Sequence, residues 1–122
     1  MEKRPKVSDA EWEVMKVLWE SSPRTANEVV DALSEKRAWK PKTVRTLINR
    51  LAGKGAIGFE KQGRRYLYNP VLSEEDCLRH ETKSFIRRAG TGALKPMLAA
   101  FIENEELSAG EIDELKRILE EK

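Results

Sequence analysis

The apolar residues of this chain recur at two different periods, and the point where the period changes limits the folds open to it. Up to Leu51 the spacing is helical. Trp12, Met15, Leu18 and Trp19 form one stripe, Val29, Val30 and Leu33 a second, and Val44, Leu47, Ile48 and Leu51 a third at i, i+3, i+4 and i+7. In the stretch AIGFEKQGRRYLYNP the period drops to two, with Ile57 and Phe59 alternating before Gln62-Gly63 and Tyr66 and Tyr68 after it. That pattern predicts a β-hairpin with strands at Ile57–Lys61 and Arg64–Asn69, ended by Pro70. Beyond Pro70 the helical spacing returns. Two strands alone are barely stable in water, so the hairpin has to lean on the helices before it.

Local signals place the helix ends. Ser8-Asp-Ala-Glu11, Thr25-Ala-Asn-Glu28 and Ser108-Ala-Gly-Glu111 each read S/T-x-x-E. In that capping box the hydroxyl accepts the N3 amide and the glutamate reaches back to the cap amide. Ser73-Glu-Glu-Asp76 is a weaker version. The first helix should stop at Ser21-Ser-Pro23. The third carries Pro41 in its first turn, where a missing N–H costs nothing, and ends at Gly53 or Gly55, either able to supply a left-handed cap. Three helices followed by a hairpin predict a mainly α chain with a small β-hairpin: a winged helix-turn-helix domain over residues 1–70. In such a domain the third helix enters the DNA major groove and the hairpin tip, the wing, touches the neighbouring backbone.

The charge distribution points the same way. The formal net charge of +2 hides an asymmetry: residues 1–70 carry 15 Lys/Arg against 9 Asp/Glu, and residues 71–122 carry 8 against 12. Between Lys36 and Tyr66 there are 10 basic residues and one acid, Glu60. A block this one-sided repels itself unless an anionic partner screens it, although a basic surface can also serve solubility alone. On the third helix Lys42, Thr43, Thr46 and Asn49 share a polar strip, with Arg45 and Arg50 at its margins. These side chains suit base edges: a Thr methyl lies against thymine, Asn suits adenine, and Lys or Arg suits guanine or phosphate. Lys40, Arg45, Arg50, Lys54, Lys61, Arg64 and Arg65 are expected on the sugar-phosphate backbone, which positions a protein without reading sequence. The alternative is a winged-helix module that turns this basic face toward an acidic protein partner.

Residues 71–122 hold three short amphipathic helices. Their stripes are Leu78, Phe85 and Ile86; Leu94, Met97, Leu98, Phe101 and Ile102; and Ile112, Leu115, Ile118 and Leu119. So few residues cannot bury all these stripes against one another. The economical cover is a second copy of the chain, so this half is expected to be a helical dimerisation domain, the alternative being packing onto the winged helix in a monomer. Catalysis finds no support: His80 is the only histidine, and Cys77, the only cysteine, makes with it too few ligands for a metal site. No cofactor is expected. One cysteine excludes an internal disulfide, and no apolar run approaches the roughly 20 residues of a membrane span, so the expectation is a cytoplasmic protein with no membrane partner. Tyr66 and Tyr68 are expected to support the hairpin rather than stack on unpaired bases, and Trp12, Trp19 and Trp39 are read as core anchors.

Four segments, SDAEWEVMKVLWE, PKTVRTLINRLAGKGAIG, GRRYLYNP and LSAGEIDELKRILEEK, together resemble the BlaI/MecI/CopY-type family of penicillinase and methicillin-resistance repressors. The resemblance runs from about Val7 to Lys122. It implies a dimeric winged-helix repressor of bacterial transcription that binds palindromic operators. The family's base-contacting lysine and two threonines fall on Lys42, Thr43 and Thr46, and its wing residues around Lys61–Arg65. In the β-lactam-responsive members, induction involves proteolysis of an Asn–Phe bond in the dimerisation region. The corresponding pair here is Ala100-Phe101, in which the Phe is kept and the Asn is replaced. The copper-responsive members carry a C-terminal cysteine cluster, and this chain ends RILEEK without one. The resemblance leaves the inducer, or an inducing protease, undefined.

Overall fold

A computed structural model describes residues 6–104 and 106–121. The chain divides into two compact units, with the boundary between Leu78 and Arg79. The first holds α1 (Asp9–Glu20), α2 (Ala26–Arg37), α3 (Pro41–Lys54), β1 (Ile57–Gln62) and β2 (Arg65–Pro70). Helix α4 (Glu74–Ala89) begins in the first unit and runs into the second, which continues through a short 3-10 turn (Thr91–Ala93), α5 (Leu94–Glu103) and α6 (Ala109–Glu120).

The three predicted capping boxes all form. The hydroxyls of Ser8, Thr25 and Ser108 accept the amides of Glu11, Glu28 and Glu111 at 3.1, 3.2 and 3.1 Å. Each glutamate accepts the cap amide in return at 2.8, 2.8 and 3.0 Å. Of the two candidate caps for α3, it is Gly55 that adopts the left-handed conformation, at φ 79°. Helix α2 ends on a left-handed residue that is not glycine, Ala38 at φ 54°. That reversal redirects the chain into the extended Lys40, which precedes Pro41 and is held out of the helical region by the proline ring.

The hairpin forms with a turn one residue later than the sequence suggested. Gln62 pairs with Arg65, so the two turn residues are Gly63 and Arg64 rather than Gln62 and Gly63. Gly63 takes φ 63°, the positive φ that a two-residue hairpin turn demands at its first central position. Opposed residues share a face, and the pairs Ile57–Pro70, Phe59–Tyr68 and Lys61–Tyr66 put the apolar alternation on one side. Phe59 packs its ring 5.0 Å from Tyr66 and 5.9 Å from Tyr68. The hairpin leans on the helices through the α1–α2 connection. Arg24 bridges Tyr68, with the Arg24 amide donating at 3.1 Å and the Tyr68 amide donating back at 2.8 Å.

The core of the first unit is built from the three stripes: Val14, Met15 and Leu18 of α1, Val29 and Leu33 of α2, and Val44, Ile48 and Leu51 of α3, closed by Ile57 and Tyr68. The tryptophans are not in it. Trp12, Trp19 and Trp39 are only half-buried and flank the core instead of anchoring it. An indole N–H needs a partner when covered, and at the rim Trp19 finds one, donating to the Leu72 carbonyl at 2.9 Å. Trp12 meets Trp19 edge-on with ring centroids 5.6 Å apart.

One charged side chain lies in this core. Glu11 occupies the same α1 face as Val14, Met15 and Leu18, and is only 1% exposed. Its Oε1 accepts the Ser8 amide at 2.8 Å and the Lys54 ammonium at 2.5 Å, and Lys54 donates also to the Lys6 carbonyl at 2.7 Å. Burial pushes the Glu11 carboxyl up, but the Lys54 hydrogen bond, the bonds from Ser8 and the Lys54 charge together outweigh it and hold the group below its ordinary value of 4.5. A carboxyl depressed by folding contributes stability above its unfolded value and loses it as pH falls through the lower folded value. Glu11→Ala should therefore lower the unfolding free energy by about 2–3 kcal/mol at neutral pH, at the lower end for a broken buried pair because Lys54 is left able to reach water. Urea titrations at several pH values check this: wild type should lose more stability than Glu11→Gln on acidification below 4.5.

Candidate nucleic-acid interface

The ten cations between Lys36 and Tyr66 sort into two groups. Lys36, Arg37 and Lys54 pair with Glu20, Glu13 and Glu11 at 3.6, 3.1 and 2.5 Å, so all three are neutralised by carboxylates of one helix, α1. The other seven, Lys40, Lys42, Arg45, Arg50, Lys61, Arg64 and Arg65, have no carboxylate within ion-pair distance among the described residues. These seven lie on the outer face of α3, at its start, and at the hairpin tip, and all are exposed. The structure differs from the sequence expectation at Lys54. Its ammonium is held by Glu11 and the Lys6 carbonyl, so it closes the core instead of standing ready for a phosphate. The signal was in the sequence: a carboxylate at position 11 on an apolar stripe has to find a cation.

Helix α3 turns Val44, Leu47, Ile48 and Leu51 inward, which leaves Lys42, Thr43, Thr46 and Asn49 exposed as the strip predicted. No acid lies in its first turn and Pro41 starts it, so no negative charge opposes the positive end of the helix. Thr46 donates its hydroxyl to the Lys42 carbonyl at 3.0 Å. Its proton is thereby committed within the helix, and it presents outward a methyl group and oxygen lone pairs. Arg45, at the margin of the strip, donates through Nη2 to Oδ1 of Asn27 on α2.

Asn27 was not singled out in the sequence; its partner lies 18 residues on, beyond any local pattern. It also lines a groove of about 300 Å³ with Thr25, Ala26, Arg64, Arg65, Tyr66 and Tyr68, which joins the start of α2 to the wing. Tyr68 is buried against the helices, and burial raises its hydroxyl above the ordinary value, with Tyr66 adding to the rise. Tyr68 therefore supports the hairpin, as expected, while Tyr66 is exposed beside the guanidinium groups.

In the second unit Leu94, Met97, Leu98, Phe101 and Ile102 of α5 and Ile118 and Leu119 of α6 are exposed, from 37% at Leu94 to 67% at Leu119. Phe85, Ile112 and Leu115 are half-buried, and Leu78, at the end of the first unit, is exposed. Ala100 and Phe101 lie inside α5, in helical backbone. Cys77 is buried and His80 exposed on α4. Among the described residues no group of His, Cys, Asp and Glu could hold a metal ion, and no helix is long and apolar enough to cross a membrane.

Comparison with known proteins gives this geometry a family. The model of the penicillinase repressor family matches residues 7–121. The penicillinase repressor of Bacillus licheniformis is 46% identical over 121 residues, covering 99% of this chain and 94% of that protein. The methicillin resistance regulatory protein MecI of Mammaliicoccus sciuri is 38% identical over 116 residues, covering 95% and 94%. Among solved structures, the Bacillus licheniformis BlaI monomeric form in complex with the blaP half-operator is 47% identical and superposes with a TM-score of 0.54, over 62% of this chain and 93% of that one. A DNA complex of Staphylococcus aureus MepR, at 18% identity and a TM-score of 0.50, shares the fold. On the family match and on relatives similar over nearly their whole length, the chain belongs to the penicillinase repressor family.

Proposed function

We propose that this chain is a cytoplasmic transcriptional repressor that binds a palindromic operator as a homodimer, with α3 in the major groove and the wing on the adjoining backbone. The observation that carries the reading is the sorting of charge. Carboxylates of α1 pair with Lys36, Arg37 and Lys54, and the seven cations left unpaired lie around the α3 strip and the wing tip. DNA is a partner whose charge spacing rewards such a surface, since each neutralised phosphate releases a counterion. The relative solved on the blaP half-operator supports one domain per half-site. The family's repressor role supports binding, not catalysis.

Lys42, Thr43, Thr46 and Asn49 are assigned to base edges, and Lys40, Arg45, Arg50, Lys61, Arg64 and Arg65 to phosphates. One domain buries too little surface for tight specific binding, and two on a palindrome fix the half-sites a whole number of helical turns apart. The exposed apolar residues of α5 and α6 support pairing through the second unit, because exposed apolar stripes at this density mark an interface.

Three outcomes are expected. Thr46→Val, which keeps the outward methyl, should retain operator affinity within about threefold, whereas Thr46→Ala should lose about 1–2 kcal/mol on the operator and little on random duplex, read by competition gel shift. A footprint unchanged when Thr43 and Thr46 are both replaced by alanine would remove them as readers. Arg64→Ala should weaken specific and random duplex alike and reduce the slope of log affinity against log salt by about 0.9. Sedimentation equilibrium should show a dimer at tens of micromolar and a monomer after Leu98→Glu or Phe101→Glu, about 3 kcal/mol or more being lost when a charge is buried unpaired. Protection of no duplex at low salt would instead favour an acidic protein as partner.

A further inference from the structure

Arg45 is the one cation of the unpaired group whose guanidinium is already held by another side chain among the described residues: its Nη2 donates to Oδ1 of Asn27, at the second position of α2. Asn27 is itself exposed, and it lines a groove that Arg64, Arg65 and Tyr66 of the wing also line. An amide is well suited to this contact. It accepts one of the five guanidinium N–H groups and so restrains where the guanidinium sits, yet it brings no negative charge to cancel that of the arginine. A carboxylate in the same place would hold Arg45 more firmly and consume its charge.

We propose that Asn27 is a positioning residue for DNA binding. It holds the Arg45 guanidinium on the side of α3 that faces the start of α2 and the wing groove. The phosphate-contacting cations of the recognition helix and of the wing then address one stretch of sugar-phosphate backbone. The proposal rests on the reading of this face as a DNA interface. Its energetic basis is preorganisation: a free arginine loses rotamer freedom when it docks on a phosphate, and one already held has lost part of it beforehand. Asn27 makes the contact through its side chain alone, so its replacement leaves the core of α2, Val29, Val30 and Leu33, untouched.

The test is a double-mutant cycle on the full chain, with affinity for a pool of random-sequence duplex read by fluorescence anisotropy across a salt series. Arg45→Ala should weaken binding about tenfold and lower the salt slope by about 0.9. Asn27→Ala should weaken it about three- to fivefold in the unmodified chain and by less than about 1.5-fold once Arg45 is alanine, because the two act as one unit. Asn27→Ser falls a bond short of Arg45, suits a first helical turn, and gives the same readout should the alanine variant lose folded structure by circular dichroism. Effects that multiply independently, or an Asn27 variant that binds as tightly as wild type, would overturn the positioning role while leaving the DNA reading intact. An unmodified chain that binds no duplex at low salt would overturn both.

Discussion

A carboxylate inside an apolar core has to be compensated, and in this domain the compensation ties its beginning to its middle. Glu11 stands where the α1 stripe would otherwise carry a leucine or valine, and Lys54, at the last turn of α3, is drawn in to meet it. The contact locks the end of α3 to the start of α1, and Gly55 then turns directly into the hairpin. The pair fixes the axial position of α3 against α1, which the apolar contacts alone, being non-directional, specify less sharply. The same Oε1 completes the α1 capping box, so one atom serves both the helix end and the tertiary join.

Helix α1 has a second role that its apolar stripe conceals. Glu13 and Glu20 take up Arg37 and Lys36, and Glu11 takes up Lys54, so the helix acts as counter-charge for three of the ten cations between Lys36 and Tyr66. Of the ten cations between Lys36 and Tyr66, those left without a carboxylate lie on α3, at its start and at the hairpin tip. A uniformly basic surface would bind polyanions in many orientations. A surface whose free cations cluster around one helix and a hairpin tip would orient the domain on a polyanion before any base is read, which is the order the proposed binding requires.

Much of this was legible in the sequence because the deciding interactions are local. The capping boxes of α1, α2 and α6 join residues three apart, and all formed as read. The helical stripes and the period-two hairpin located the six α-helices and the two strands, though not the 3-10 turn at Thr91–Ala93, and the α3 strip is exposed with the membership expected. At the site, what the sequence hides are contacts between distant residues. Lys54 reads as a phosphate contact because its partner lies 43 residues away, and Asn27 carries no local signal because Arg45 lies 18 residues on. The turn slipped by one residue because the cross-strand pairing of Gln62 with Arg65 decides which residue beside Gly63 joins it in the turn. The tryptophans were placed in the core on hydrophobicity, whereas the indole N–H of Trp19 draws it to the rim, where the Leu72 carbonyl is within reach.

The apolar residues left open along α5 and α6 have a consequence for dosage. In a dimer of the kind proposed, the operator-competent species forms from two chains by mass action. Below the dimer dissociation constant its abundance follows the square of the chain concentration. Halving the protein in the cell would then cut the competent form roughly fourfold, so silencing would fail abruptly rather than in proportion. Any process that removes chains, by dilution at division or by degradation, gains leverage from that square, and release of the operator requires no signal to touch the DNA-binding domain itself.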